Sequence, residues 1–313
     1  MRAVRYENGA VRVVEAAAPR GEGVRVRVRA CGICGSDLAM LDGGFPINGI
    51  PGHEIAGELA DGTAVAIEPV APCGACEFCR SGDYQVCRAG VDVIYGVGRD
   101  GGMADEILVP ARCLVALPRG LDARHAALVE PLAVAVHGLR RAGLRGGERV
   151  AIVGGGAIGL CALAAAVAAG CAVSLHARHD RQREVGARLG AGPPAPGEVD
   201  VAIDCAGTTE SLAQCAELLR PNGLLLLLAA AWGPIALPGF RFVAKELALT
   251  VASMYGRSAQ GRDVDAAAAL LAAKPAIGEL LITHRFPLAA AAEAFRTARD
   301  RKAGAIKVVL EPS

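Results

Sequence analysis

Over residues 1–30 apolar and polar positions alternate, as in VRVVE and GVRVRVRA, and a period of two predicts half-buried strands. Glycines and prolines then interrupt the chain every few residues through Pro118, predicting an all-β segment whose long loops hold residues 31–54. From 122 to 142 the period becomes helical, with Asp122 as N-cap and Gly143 as the stop. From Arg149 onward strand and helix take turns. VAIVG reads as a short buried strand, 157–169 as a helix of small residues, AVSLHA as a second strand, and the residues through Leu189 as another helix. Further strands are predicted at 199–203, 224–230 and 247–252, with a helix at 209–219. This alternation predicts a parallel, doubly wound sheet. Residues 192–197, GPPAPG, are too proline-rich for a helix, so a crossover there is truncated. After Gly261 a helix (DVDAAAALLAA), a strand-like ELLITHRF, a helix (LAAAAEAFRTARD) and a strand (AIKVVLE) return to the first domain.

A chain of 313 residues exceeds the usual size of one core, and 53% hydrophobic residues supply material for two. The net charge is +1 with both signs scattered, which excludes a nucleic-acid stripe and a polybasic membrane anchor. The longest apolar runs, 160–169 and 224–232, fall short of the roughly 20 residues that cross a bilayer. The N-terminus, MRAVRYENGAVRVVE, has no apolar core of a signal peptide, and a cytoplasmic location is expected. Eleven cysteines, several crowded into one segment, favour metal over disulfides in a reducing compartment.

Candidate chemistry concentrates in residues 31–54, CGICGSDLAMLDGGFPINGIPGHE, where Cys34, Ser36, Asp37, His53 and Glu54 supply thiol, hydroxyl, carboxylates and imidazole. Zinc takes such ligands, and a catalytic site typically uses three and leaves one position open. Cys73, Cys76, Cys79 and Cys87, spaced C-x2-C-x2-C-x7-C, can close a tetrahedral structural zinc site; an iron–sulfur cluster is the alternative. Cys113, Cys161, Cys171, Cys205 and Cys215 lie in apolar surroundings and read as small buried hydrophobes.

Gly154, Gly156 and Gly159 form G-x-G-x-x-G between the VAIVG strand and a helix, with Ala157 and Ile158 opening that helix. In this setting the glycines permit the turn, the approach of a pyrophosphate and close helix packing, so all five residues are cofactor-binding candidates. At the end of the next strand, where an acid would meet a ribose 2′-hydroxyl, stand Ala177 and Arg178, with Arg181 three positions on. A small residue and arginines there favour NADP(H) over NAD(H). The alternative has the arginines solvated and Asp180 serving the ribose after a register slip.

Together these residues resemble the medium-chain dehydrogenase/reductase superfamily, zinc-dependent alcohol dehydrogenase branch. The likeness runs through CGICGSD, GHE, the four-cysteine loop, EPLAVAVHG at 130–138, VGGGAIG at 153–159 and THRFPL at 283–288. It implies an α/β fold: a GroES-like β-barrel catalytic domain (1–145, rejoined by 263–313) and an inserted Rossmann domain (146–262). It implies one catalytic and one structural zinc per chain. Cys34 and His53 are then ligands of the catalytic metal, Ser36 carries the substrate proton, Asp37 orients the histidine, and Glu54 or Glu130 completes the set, as in sorbitol and threonine dehydrogenases. Arg285 resembles the substrate-orienting arginine of polyol dehydrogenases. Ala39 stands where a second proton-relay histidine is common, and Met40 where those enzymes often have an aromatic. A homodimer or homotetramer acting on a small alcohol or carbonyl compound is implied. The expected reaction is hydride transfer between a secondary alcohol or polyol and NADP(H). The rivals are an NAD-linked threonine-type dehydrogenase and a non-catalytic NADPH- and zinc-binding sensor.

Overall fold

The computed structural model describes residues 1–7, 9–43, 49–194 and 197–312, except for the side chain of residue 301. Residues 44–48 of the candidate stretch and 195–196 of the proline-rich segment therefore lie outside the described residues. Two compact units are present, Met1–Glu130 with Gly256–Ser313, and Pro131–Tyr255.

In chain order the first unit begins with β1 (Arg2–Glu7), β2 (Ala10–Glu15), β3 (Val24–Gly32), α1 (Gly35–Gly43), β4 (Glu54–Glu58), β5 (Ala64–Ile67), α2 (Glu77–Ser81), β6 (Glu106–Val109) and β7 (Leu114–Ala116). Helix α3 (Val129–Arg141) leads into the second unit, which holds β8 (Arg149–Val153), α4 (Ala157–Ala168), β9 (Ala172–His176), α5 (Asp180–Arg188), β10 (Val199–Asp204), α6 (Thr209–Leu218), β11 (Leu219–Leu227), α7 (Gly239–Ala244) and β12 (Ala248–Val251). The chain returns to the first unit with β13 (Arg257–Ser258), β14 (Gly261–Arg262), α8 (Asp263–Ala273), α9 (Ala276–Leu281), β15 (Ile282–Pro287), α10 (Ala291–Arg299) and β16 (Lys307–Glu311).

Alternation builds the first unit. Along β3, Val26, Val28 and Ala30 are buried, while Arg25 and Arg29 reach Glu106 and Glu58 at 2.6 Å. Among the described residues the sheet runs β15-β16-β3-β4-β5-β7, with β6 also on β3. Its register sets Gly32 opposite both Glu54 and Val309, so the end of β3 lies between the start of β4 and the final strand.

Three local expectations are corrected. The candidate stretch is not all loop, because Ser36 and Asp37 lie in the first turn of α1, where Asp37 Oδ2 accepts the Cys34 N–H at 2.9 Å. The helix expected from Asp122 begins at Val129. Asp122 instead closes a turn on the Arg124 N–H at 2.8 Å, and Pro131 is tolerated only within a first helical turn. ELLITHRF divides between α9 and β15.

The second unit is a parallel sheet ordered β12-β11-β10-β8-β9. Helix α4 is buried from Gly159 through Ala166, as a helix of small residues packed closely on a sheet must be. Helix α6 starts with a reciprocal cap in which Thr208 Oγ1 accepts the Ser211 N–H at 3.1 Å and Ser211 Oγ accepts the Thr208 N–H at 2.9 Å. Among the described residues no helix is long and apolar enough to cross a membrane.

Candidate metal centres and dinucleotide site

The first donor group forms where β3 ends. Ile33 N–H bonds the Val308 carbonyl at 2.9 Å, which pins the turn carrying Cys34 to β16. Glu54 opens β4 opposite Gly32, and a Cβ on Gly32 would stand 1.9 Å from Glu54 Oε2, so only glycine leaves room for that carboxylate. One ligand atom from each of Cys34, His53 and Glu54 lies within 4.8 Å of the others. Ser36 Oγ is 3.3 Å from His53 Nε2. Behind the ring, Asp37 Oδ1 is 3.7 Å from His53 Nδ1, and both atoms are buried without a hydrogen-bond partner.

Burial works against a charged His53 imidazole, but Asp37, Cys34 and Glu130 outweigh it and hold the ring well above the ordinary histidine range. Burial pushes the Asp37 carboxyl up, offset in part by His53 and the Cys34 N–H. Glu130, in the first turn of α3, is 8% exposed; it acts on His53 through its charge but is not within the 4.8 Å group. Glu54 is fully buried and paired with Lys307 Nζ at 2.5 and 2.6 Å. Sulfur, nitrogen and oxygen donors under several negative charges suit a divalent zinc ion, whose tetrahedral bonds of 2.0–2.3 Å set ligand atoms about 3.3–3.8 Å apart. A carboxylate has enough lone pairs to meet both a lysine and a metal. Lys307 escaped the sequence reading, although a lysine inside the apolar strand AIKVVLE was a signal, because a buried cation requires a partner.

The second group is the cysteine loop. Cys73, Cys76, Cys79 and Cys87 converge, with sulfur separations of 3.8 Å (73 to 79), 3.4 Å (76 to 79) and 4.0 Å (76 to 87). Those values bracket the about 3.8 Å edge of a tetrahedron with 2.3 Å Zn–S bonds, so four thiolates here fit zinc. Backbone N–H groups of Arg88 and Cys79 pull the Cys76 thiol down to about 6, while burial and neighbouring thiols push Cys79 up to about 12. Glu68 accepts from Tyr84 of this loop and from Arg262 Nη1 at 3.0 Å, tying the loop to the returning segment.

The third site lies in the second unit. Gly154 follows β8 with φ +110°, and a Cβ on Gly159 would stand 1.8 Å from the Gly154 carbonyl oxygen. Both positions therefore demand glycine. Gly156 caps α4, and Ala157 and Ile158 begin it. Beside the turn is a cavity of about 490 Å³ lined by Gly154 and Gly155, by Ala177, Arg178 and His179 after β9, and by Thr208 and Gln214 of the α6 region. Its size and glycine mouth fit the nucleotide end of a dinucleotide. Arg181 is not among the residues lining the cavity; it is exposed on α5, 3.6 Å from Glu184 one turn on. Asp180 is bound to Arg183, whose Nη1 also donates to the carbonyls of Ala177 (2.6 Å) and Arg178 (3.0 Å) and shapes the loop. Arg285 bonds Glu311 at 2.5 Å and the Arg124 carbonyl at 3.4 Å.

Residues 20–119 match the alcohol dehydrogenase GroES-like domain, and residues 179–310 match the zinc-binding dehydrogenases. L-galactonate-5-dehydrogenase of Escherichia coli strain K12 is 30% identical over 299 residues, covering 86% of each chain. A sorbitol dehydrogenase of Halalkalibacterium halodurans is 29% identical over 92% of this chain and 91% of its own. A chain from Sinorhizobium meliloti 1021, assigned as a zinc-binding dehydrogenase and solved with NADP, superposes with a TM-score of 0.86 at 30% identity, covering 99% of each chain. With matching family domains over both units and relatives aligned along most of its length, the chain belongs to the zinc-type alcohol dehydrogenases of the medium-chain dehydrogenase/reductase superfamily, in their polyol-dehydrogenase branch, and is an oxidoreductase acting on hydroxyl groups.

Proposed function

We propose that the chain transfers a hydride between a secondary alcohol, polyol or sugar acid, or the corresponding carbonyl compound, and NADP(H). The observation that carries this reading is the meeting of Cys34, His53 and Glu54 within 4.8 Å, with the Ser36 hydroxyl 3.3 Å from His53. Cys34 and His53 hold the catalytic metal, and Glu54 or Glu130 adds a carboxylate. Zinc, when bound, lowers the pKa of an alcohol, and the nicotinamide takes its hydride. Ser36 Oγ accepts the alcohol proton. Asp37 fixes Cys34 through its N–H and faces His53 Nδ1, holding the ring's other nitrogen toward the donor group. Ala39 has no group to pass the proton further, so it leaves Ser36 by another path. Cys73, Cys76, Cys79 and Cys87 hold a second, structural zinc.

For the cofactor, Ala177 in place of an acid and Arg178 on the cavity wall support NADP(H), as does the relative solved with NADP. The galactonate and sorbitol dehydrogenases support the substrate class. Eleven cysteines, four of them gathered in one metal-ligand loop, suit a reducing compartment and support a cytoplasmic location. The exposed Leu249 and Val251 on edge strand β12, with Phe240 and Val243 on α7, support assembly with further copies of the chain.

The test is a screen of polyols, sugar acids and ketones with NADP(H) and NAD(H), alongside zinc analysis. Turnover of a polyol or sugar acid with NADP preferred and about two zinc per chain is expected. Binding of NADPH and zinc without hydride transfer to or from any compound would identify a sensor instead. Preference for NAD with an amino alcohol would identify a threonine-type dehydrogenase.

A further inference from the structure

Strand β9 is the outer strand of the parallel sheet, and beyond it, among the described residues, stands only a one-residue parallel bridge from Ser174 to Gly192. A doubly wound dinucleotide fold places a third strand there, then crosses back to the fourth. Such a connection takes a dozen residues or more. Here α5 ends at Arg188 and β10 begins at Val199, and Pro193 and Pro194 offer no N–H to prolong the ladder. Among the described residues there is neither a third strand nor a crossover helix after it.

That loss changes one face of β9. Leu175 packs toward α5, where a Cβ on Gly186 would stand 2.4 Å from Leu175 Cδ2. Alternation turns Ala172, Ser174 and His176 to the opposite face. His176, at the end of the strand, is half-buried and lines the nucleotide cavity. Its Nδ1 is 3.4 Å from Nε2 of Gln214, another cavity residue, on α6. Burial holds the His176 ring below the ordinary histidine value, so it is neutral near pH 7. A neutral ring that accepts from the Gln214 amide at Nδ1 carries its proton on Nε2. The pair then presents a ring N–H donor beside the Gln214 Oε1 acceptor.

We propose that His176 and Gln214 form an adenine-reading pair for the dinucleotide, a donor and an acceptor matched to a ring nitrogen and the 6-amino group of the base. Adenine shows an acceptor next to the amino donor, and glutamine is a recurrent partner of that edge. Hypoxanthine replaces the amino group with a carbonyl and is mismatched at Gln214. The proposal rests on the cavity holding the adenine nucleotide end of the cofactor, as in the functional reading above.

The experiment titrates the full-length, zinc-containing protein with NADPH and its hypoxanthine analogue by fluorescence. A parallel arm uses NADH and its hypoxanthine analogue. Wild type is expected to prefer the adenine form about tenfold, since a mismatch between the half-buried ring, the exposed Gln214 amide and the base loses their hydrogen bonds. Gln214→Leu and His176→Leu should bring that ratio within about threefold by weakening the adenine form alone, with unchanged melting temperature. Equal binding of adenine and hypoxanthine forms by wild type, or loss of both forms together in a folded variant, overturns the pair. Discrimination in the NADH arm with no gain from the 2′-phosphate would uphold the pair and remove the NADP reading. Failure of all four dinucleotides to bind would remove both.

Discussion

Replacing Lys307 with methionine tests how the first donor group is held. Lys307 is 3% exposed and Glu54 0%, and the two bond at 2.5 and 2.6 Å, with a further bond from Lys307 Nζ to the Ile33 carbonyl at 3.2 Å. Methionine keeps most of the volume but removes the charge, leaving a carboxylate buried between Gly32 and Cys34 without its cation. Breaking a buried pair in this way costs about 3–5 kcal/mol, whereas removing both charges together is often near neutral. For a unit of this size each kcal/mol moves the melting midpoint by roughly 2–4 °C, so Lys307→Met should lower it by roughly 6–20 °C. Glu54→Gln combined with Lys307→Met should recover most of that fall. The assay is thermal and urea unfolding of zinc-stripped protein, which separates the pair from any metal. A single variant that melts with wild type, or a double variant no more stable than the single, would refute the reasoning.

Ser36→Ala should lower kcat about 100-fold or more with an unchanged melting midpoint, the scale of a positioned acid–base group; near-normal turnover would move the proton elsewhere. Ala177→Asp with Arg178→Leu should shift kcat/KM from NADP toward NAD by roughly 10- to 1,000-fold, the range of one or two screened charge-assisted bonds. Arg181→Leu should leave the ratio unchanged, because Arg181 faces Glu184; a shift as large as that of Arg178→Leu would place it at the phosphate after all. Burial lowers the His176 pKa in the folded state, so the unfolded chain binds the proton first as pH falls below about 6.5. Urea midpoints should therefore fall less between pH 7.5 and 5.5 for His176→Asn than for wild type, and parallel curves would contradict this. Val251→Asp on edge strand β12 should reduce the mass measured by light scattering if copies associate there, and an unchanged oligomer would move the interface.

What the sequence by itself determined is chemistry carried by short spacings. Cys73, Cys76, Cys79 and Cys87 sit in one loop, and Gly154 to Gly159 in one strand-to-helix turn, so a few bonds of backbone bring each set together. The order of strands and helices after Arg149 was legible for the same reason, since the period of apolar positions is local. The start of α3 was not, because the cap assigned to Asp122 depended on whether its carboxylate would turn back on Arg124. Only the tertiary structure decided the partners. Glu54 and Lys307 are 253 positions apart, and a period of two says that a side chain faces inward but not what it meets. Nothing near Arg181 revealed that α5 would turn it to Glu184 while Arg178 met the cavity. His176 and Gln214, 38 positions apart, meet because strand order sets the end of β9 and the start of α6 on the walls of one cavity, a consequence that no stretch of sequence carries on its own.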